Sequence, residues 1–339
     1  MTVEKDRVLR SFYKTDGFMK YLFFDIECAG VFKNVAKICA FGYCLTDEQF
    51  HILEKEDLLI NPQGGFHLTD RKGTQGIVLP YKYEDFKNYP TFLKRAEKIY
   101  SLLQDKDTLV MGHAVMNDVK YLNLESKRFS LPSFCFSFAD TQFLYMNKIG
   151  EFSRQFALGA IAEQLGVEFT PHRAVDDAYA TMRVAQAMCE AEGLSLVELL
   201  KKYQIKLGKI ENYEVTQSTS VPFENFRALR EKQKEEREKK RVEFHIFADR
   251  EKRKREKEGK LKNKTVCFSH SVELDLPLAK RLLQAAFAEA ARVTFRAEEC
   301  DLYICYDGEG GQRLQSVLSR GGKAINPDEF CKYLEMETI

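Results

Sequence analysis

Residues 20–28 read KYLFFDIEC, a run of aromatic and aliphatic residues that predicts a β-strand. Asp25 and Glu27 lie two positions apart in this run, so their side chains leave the same face of the strand. Two carboxylates so close together repel each other unless they are protonated or bridged by cations. The pair is therefore either a cation-binding feature or two ordinary acids on an exposed strand face, and the strand alone does not decide between these interpretations.

The segments that follow predict a mixed sheet. Residues 37–47 and 50–60 predict two further strands with short connections, which indicates an antiparallel meander. Residues 108–115 and 133–141 predict a fourth and a fifth strand, and helical spacing of apolar residues occurs around them. Strands that are followed by alternating helices and strands predict an α/β fold, here a mixed five-stranded sheet flanked by helices.

Two later acids and a histidine stand near the starts of predicted helices. Asp118 follows GHAVMN and Asp177 follows PHRAVD, and each alone is explained by the favourable interaction of an acid with a helix N-terminus. Together with Asp25 and Glu27 they offer four carboxylates, the oxygen ligands that two hard cations such as Mg²⁺ or Mn²⁺ prefer. His172 lies five residues before Asp177, where a neutral imidazole could take a proton from an attacking water.

The segments FFDIE, GHAVMNDVKYL and HRAVDDAYATMRV resemble, in order and spacing, the three motifs of the DEDDh exonuclease family. This family is similar in fold to ribonuclease H and includes the epsilon proofreading subunit of bacterial DNA polymerase III. The resemblance covers about residues 20–190. It implies that Asp25, Glu27, Asp118 and Asp177 bind two Mg²⁺ or Mn²⁺ ions and that His172 is the general base.

The resemblance also implies a reaction, the two-metal hydrolysis of phosphodiester bonds at the 3′ end of DNA with release of nucleoside 5′-monophosphates. RNA remains an alternative substrate, because the stretch from Ala114 to Asp118 resembles a branch of the family that contains RNA exonucleases. A second alternative is a non-catalytic adaptor that keeps the ribonuclease H-like scaffold. We expect the enzyme, because all four carboxylates and the histidine are present.

A charged segment from Arg227 to Lys264 contains 17 Lys and Arg against 9 Asp and Glu, although the whole chain of 339 residues has a net charge of only +1. Glutamate and lysine pairs spaced four residues apart predict a long charged helix. Its cations could contact a phosphate backbone, or the helix could be a spacer whose charges pair with one another. Phe244, Ile246 and Phe247 within it suggest a docking point.

The C-terminal stretch from about Lys264 resembles a BRCT domain in KTVCFSH, DLYICYD and LSRGGKAINPDEFCKYL. This resemblance implies a small α/β domain that binds a replication or repair protein, and it favours DNA over RNA as the substrate. We therefore expect an exonuclease domain over residues 18–195, a linker and charged helical segment over residues 196–263, and the BRCT-like domain over residues 264–339.

Several other classes of protein are not expected. No stretch is long and apolar enough to span a membrane, and the charged stretch at residues 1–17 does not have the pattern of a signal peptide, so we expect a cytoplasmic protein. The nine cysteines show neither C-x-x-C pairs nor zinc spacing, so we expect neither a disulfide framework nor a structural zinc site. Asp140 is expected to cap a helix, and His113 to order a loop.

Overall fold

The structure, a computed structural model, describes residues 20–67, 78–168 and 171–336. The charged stretch at residues 1–17, on which the expected absence of a signal peptide rests, lies outside these ranges. The chain divides into two compact units, one ending at Phe226 and the other beginning at Arg227. No helix of the described ranges is both long enough and apolar enough to cross a membrane.

The first unit combines short and long strands with helices, together with a 3-10 turn at Tyr83–Asn88. Its strands are β1 (Lys20–Phe32), β2 (Val35–Asp47), β3 (Ile52–Leu59), β4 (Thr108–Gly112), β5 (Phe136–Asp140), β6 (Ile205–Lys206), β7 (Gly208–Glu211), β8 (Glu214–Thr216) and β9 (Thr219–Ser220). Its helices are α1 (Phe92–Leu103), α2 (Met116–Arg128), α3 (Thr141–Ile149), α4 (Leu158–Gln164), α5 (Ala174–Glu192) and α6 (Leu196–Lys202), followed by the start of α7 (Val221–Glu251).

The main sheet has the strand order β3-β2-β1-β4-β5-β7-β8. Strands β1, β2 and β3 form the predicted antiparallel meander, whereas β4 pairs parallel with both β1 and β5. The predicted fold class, a mixed sheet flanked by helices, is therefore confirmed. The sheet also extends two strands beyond the five predicted, because β7 and β8 add antiparallel to β5.

The additional strands lie in residues that the sequence assigned to the linker after residue 195. A Cβ atom at position 208 would lie 2.4 Å from ring atoms of Phe138, so only glycine lets β7 run so close to β5. Strand β9 lies in the same range and pairs with β6 instead. Short strands of two to four residues carry too little periodicity to be recognised from sequence, which is why this part of the first unit was assigned to a linker.

The two faces of β1 enter two separate hydrophobic cores. Tyr21 and Phe23 pack in one core with residues of α5, while Leu22 and Phe24 pack in the other with residues of α1 and α2. This alternation follows from the two-residue period of a strand. Asp25 and Glu27 have the same parity as Tyr21 and Phe23, so they point toward the face that α5 covers.

The second unit contains the remainder of α7 and a small parallel sheet. Its strands are β10 (Thr265–Phe268), β11 (Arg292–Val293), β12 (Leu302–Ile304) and β13 (Lys323–Ile325), in the order β11-β10-β12-β13, and all pair in parallel. Its other helices are α8 (His270–Leu274), α9 (Leu276–Ala288), α10 (Gln312–Ser319) and α11 (Pro327–Tyr333), with 3-10 turns at Lys252–Lys254 and Ala297–Glu299.

The long charged helix predicted from sequence is α7, which has 31 residues. Phe244 is fully buried and meets Phe268 of β10 edge-on, at 5.7 Å between ring centroids. The aromatic and aliphatic cluster in the charged segment is therefore divided, because Phe244 belongs to the core of the second unit while Ile246 is 49% exposed.

Candidate metal centre

Asp25 and Glu27 lie in the middle of β1, where the strand pairs with β2. Asp25 pairs with Gly42 and Glu27 with Ala40, and the ladder becomes irregular immediately after Glu27. The residues that precede the acids on the same face are buried aromatics, and both acids are themselves half-buried. Their carboxylates therefore stand at the border between a hydrophobic core and solvent, where charge is poorly solvated.

Asp177 reaches this strand because α5 begins directly above Gly42. A Cβ atom at position 42 would lie 2.0 Å from both the carbonyl carbon of Ala174 and the nitrogen of Val175. Such an approach of helix backbone to strand backbone is possible only at glycine. Asp177 is the fourth residue of the helix, so the contact at Gly42 places its carboxylate beside the acids of β1.

Asp25, Glu27 and Asp177 form what we term the carboxylate cluster. One carboxylate oxygen from each residue lies within 4.8 Å of those from the other two. Burial, followed by repulsion from Asp177, raises the pKa of Asp25 to about 8. Burial and then the neighbouring Asp25 raise the pKa of Glu27 to about 9, and burial raises that of Asp177 to about 6. Three carboxyl groups that resist ionisation together are a site for compensating positive charge.

Asp118 lies in the first turn of α2 and is only 8% exposed. It falls outside the group whose oxygens lie within 4.8 Å of one another, although it interacts electrostatically with two members of that group. Burial, followed by repulsion from Asp25 and Glu27, raises the pKa of Asp118 well above its usual value. The structure therefore places this acid next to the carboxylate cluster without bringing it into the cluster.

Asp140 holds the loop that leads to Asp118. Its carboxylate accepts hydrogen bonds from the backbone N–H groups of Ala114 (2.9 Å), Val115 (3.2 Å) and Gln142 (2.9 Å). The last of these confirms the expected helix cap, and the first two fix the entry into α2. His113 orders the same loop, as expected, because its ring nitrogens contact the Thr141 hydroxyl and the Phe156 carbonyl at 3.0 and 2.9 Å.

His172 lies two residues before α5 and its side chain is exposed. Its backbone has a φ of 68°, in the left-handed region that non-glycine residues seldom adopt. The His172 imidazole and the backbone N–H groups of residues 172 and 173 oppose the rise in the pKa of Asp177. A histidine beside a cluster of carboxylates, with its ring accessible to solvent, is placed to exchange protons with water.

The hydrogen bonding of the carboxylate cluster and the chemistry of its oxygens also suit a divalent cation. Asp177 Oδ2 is buried and has no hydrogen-bond partner among the described residues. A buried polar oxygen without a partner is rare in native proteins and points to a missing water or ion. Because every available donor is a carboxylate oxygen, the chemistry suits hard cations such as Mg²⁺ and Mn²⁺.

Residues 22–185 match the family model described as "Exonuclease". This segment is an exonuclease-type domain. It carries the carboxylate cluster, Asp118 and His172 within its matched residues. No curated protein matches the chain.

Three solved structures illustrate what the chain is similar to. The nuclease domain of 3'hExo, a DEDDh family member bound to rAMP, is 18% identical, with a TM-score of 0.44, over 52% of this chain and 94% of that one. A full-length 3'-exonuclease is 16% identical, with a TM-score of 0.46, over 61% and 92%. E. coli exonuclease I in complex with a dA16 oligonucleotide is 17% identical, with a TM-score of 0.41, over 55% and 43%.

Three residues of the exonuclease-type domain that contact the start of α5 were missed in the sequence. Asp57 of β3 accepts hydrogen bonds from the Tyr81 hydroxyl (3.0 Å) and from Arg173 Nε (3.3 Å). Asp57 and Tyr81 lie outside the three motifs, and Arg173 lies within HRAVDDAYATMRV without a role that the resemblance assigns to it. Asp57 stands in the acidic run EKED, which resembles an ordinary solvated strand face. Only the packing of the folded chain brings the three residues together at the start of α5.

Proposed function

We propose that the exonuclease-type domain is a divalent-metal-dependent 3′-to-5′ exonuclease that hydrolyses phosphodiester bonds at the 3′ end of DNA and releases nucleoside 5′-monophosphates. The observation that supports this proposal most directly is the convergence of Asp25, Glu27 and Asp177, whose pKa values are all raised because burial outweighs any favourable interaction nearby. Together with Asp118 they would hold two Mg²⁺ or Mn²⁺ ions, and His172 would be the general base.

In this proposal the carboxylates bind the cations and the histidine transfers a proton. Divalent cations at this site would supply Lewis acidity, which lowers the pKa of a bound water and offsets the charge of a leaving oxygen. Asp25 and Glu27 hold fixed positions because both pair with β2, and β4 pairs with the residues of β1 that precede them, up to Phe23. His172, exposed beside Asp177, accepts the proton of the attacking water and returns it to solvent.

DNA is our first choice of substrate because the second unit supports a role in DNA transactions. We propose that this unit is a BRCT-like domain that binds a replication or repair protein. Support comes from its four parallel strands and from the positions of β10 and β12, which fall in the two sequence segments KTVCFSH and DLYICYD. RNA is the second candidate substrate, favoured by the stretch from Ala114 to Asp118.

The experiment that tests the proposal follows degradation of single-stranded DNA and RNA oligonucleotides, labelled at the 5′ end, in parallel with Mg²⁺ or Mn²⁺. We expect a ladder of products that shorten from the 3′ end, faster on DNA, and no products after chelation of the metal. Asp25→Asn should lose the activity, because the amide cannot supply the negative charge. A wild-type protein that degrades neither polymer with either metal would favour the adaptor, and faster degradation of RNA would reverse the choice of substrate.

A further inference from the structure

Asp57 lies in one cross-strand row with an acid of the carboxylate cluster. Asp25 pairs with Gly42, and Gly42 pairs in turn with Asp57. Residues directly opposite each other in antiparallel strands point to the same face, so Asp25 and Asp57 stand on either side of the glycine that lies under the first turn of α5. Asp57 therefore faces the start of the helix from the side opposite the cluster.

Its carboxylate accepts two hydrogen bonds at the start of that helix. Asp57 Oδ2 accepts one from the Tyr81 hydroxyl at 3.0 Å and one from Arg173 Nε at 3.3 Å. The same Tyr81 oxygen accepts a hydrogen bond from the backbone N–H of Ala174 at 3.2 Å. The first N–H group of α5 is thus linked through the tyrosine to a carboxylate of β3.

This link replaces an ordinary helix cap. The residue at the cap position is Arg173, whose guanidinium has no acceptor and makes no capping hydrogen bond. The buried N–H group of Ala174 would lack this partner without Tyr81. The anchored residues also adjoin the functional ones, because His172 precedes Arg173 directly and Asp177 follows Ala174 by less than one turn.

The placement of Asp57 is unfavourable for the rest of the site. Its charge adds to the repulsion that raises the pKa values of Asp25 and Glu27. Its second oxygen, Oδ1, is buried without a hydrogen-bond partner among the described residues. A further carboxylate beside an acidic cluster destabilises the metal-free protein, so a role in stability alone does not explain its presence.

We propose that Asp57, Tyr81 and Arg173 form an anchor that positions His172 and Asp177 for the reaction. The anchor joins β3 to the start of α5, so that the ligand on the helix and the base before it hold fixed positions relative to β1. The inference rests on the proposed function, since it assigns these three residues as positioning residues for that reaction and not as metal ligands.

The test uses Tyr81→Phe, which removes one hydroxyl and retains the ring. Tyr83→Phe is the matched control, because the partner of the Tyr83 hydroxyl within the described ranges is the backbone of Leu79 and not the start of α5. We expect kcat on single-stranded DNA to fall by about 10- to 100-fold in Tyr81→Phe, the loss typical of a catalytic group displaced by about 1 Å. KM should change by less than about threefold, and Tyr83→Phe should match the wild type.

A second readout does not depend on activity. Hydrogen exchange of the backbone amides at residues 174–177 should accelerate about tenfold in Tyr81→Phe and remain unchanged in Tyr83→Phe, because the first turn of α5 would open more often. If the wild type degraded no nucleic acid, the proposed function would fail while the exchange rates still tested the anchor. Equal exchange and equal kcat in the two tyrosine variants would overturn the anchor.

Variants at position 57 separate positioning from metal binding. Asp57→Asn keeps an oxygen that accepts from Tyr81, so it should recover most of the activity that Asp57→Ala loses. Both variants should retain the Mn²⁺ affinity of the wild type within about threefold, because the Asp57 carboxylate is held by Tyr81 and Arg173 and is proposed to position other residues. Loss of Mn²⁺ binding in Asp57→Asn would show instead that Asp57 is a ligand, and the anchor would be refuted.

Discussion

Gly42→Ala is the substitution for which the structure gives the sharpest prediction. The glycine separates Asp25 from Asp57 in the sheet and lies under the first turn of α5. A Cβ atom there would lie 2.0 Å from two backbone atoms of the helix and 2.4 Å from the carbonyl oxygen of Ala174. Backbone atoms cannot rotate away as a side chain can, so the helix itself must move.

The size of the movement follows from the contact distances. To restore a contact of 3.4 Å from 2.0 Å, the start of α5 must move away from β2 by about 1.4 Å. That displacement separates Asp177 from Asp25 and Glu27 and exceeds the 1 Å that commonly lowers a catalytic rate by about 100-fold. Overpacking of this kind also destabilises a protein by about 1–3 kcal/mol, which corresponds to about 2–12 °C in Tm for a unit of this size.

The assay compares degradation of single-stranded DNA, Mn²⁺ affinity and thermal unfolding for the wild type and two variants. Gly42→Ala should lose about 100-fold or more in kcat and bind Mn²⁺ more weakly. Gly65→Ala is the matched control, because among the described residues a Cβ atom at position 65 has one neighbour within 4 Å, the His67 ring at 3.7 Å. If Gly42→Ala retained wild-type Mn²⁺ affinity and a rate within threefold, the close approach of α5 to β2 would not be what assembles the site.

Three further predictions concern charge, proton transfer and loop geometry. The pKa values of Asp25 and Glu27 are raised to about 8 and 9, so the folded protein binds more protons than the unfolded chain, and the free energy of unfolding without metal should fall as pH rises from about 4 to 9. Unfolding titrations in chelator would measure this fall in the free energy of unfolding, and a rise with pH would contradict the prediction. The fall should be smaller in Asp25→Asn, and added Mn²⁺ should reverse it. His172→Ala should keep the Mn²⁺-induced increase in Tm and lose about 10²- to 10⁴-fold in turnover, whereas full activity would exclude His172 as the base. Asp140→Ala removes the acceptor of three backbone N–H groups and should destabilise the protein by about 1–3 kcal/mol or more, with a smaller loss in Asp140→Asn; equal losses in chemical denaturation would argue against the assigned bonds.

The parts of the fold that were predictable from sequence are those with a strong local pattern. The long strands, the amphipathic helices and the charged helix α7 follow from periodicity and charge spacing. The resemblance of three motifs proposes five candidate site residues, and their roles stay a prediction. Strands β6 to β9 were not predictable, because two to four residues do not establish a period and their pairing depends on Gly208 fitting beside Phe138. Phe244 could not be assigned to a core from its charged surroundings.

The register between β2 and β3 explains why the anchor could not be predicted from the spacing of residues in the sequence. Near the turn, Thr46 of β2 pairs with Ile52 of β3, and a continuous register from that pair would set Gly42 opposite Glu56. An irregularity between Leu45 and Thr46 shifts the pairing by one residue, so Gly42 meets Asp57 instead. A shift of one residue exchanges the two faces of a strand.

This shift of one residue in the register of β2 and β3 therefore decides which acid faces α5. Both Glu56 and Asp57 belong to the same acidic run, and either could be an exposed surface acid in the sequence alone. With the shift, Glu56 pairs with Tyr43 and accepts a hydrogen bond from its hydroxyl at 3.1 Å, away from the start of α5. Asp57 instead accepts hydrogen bonds from Tyr81 and Arg173. The β-bulge is thus a determinant of the site, since it places a carboxylate at the start of the helix that carries Asp177 and that His172 directly precedes.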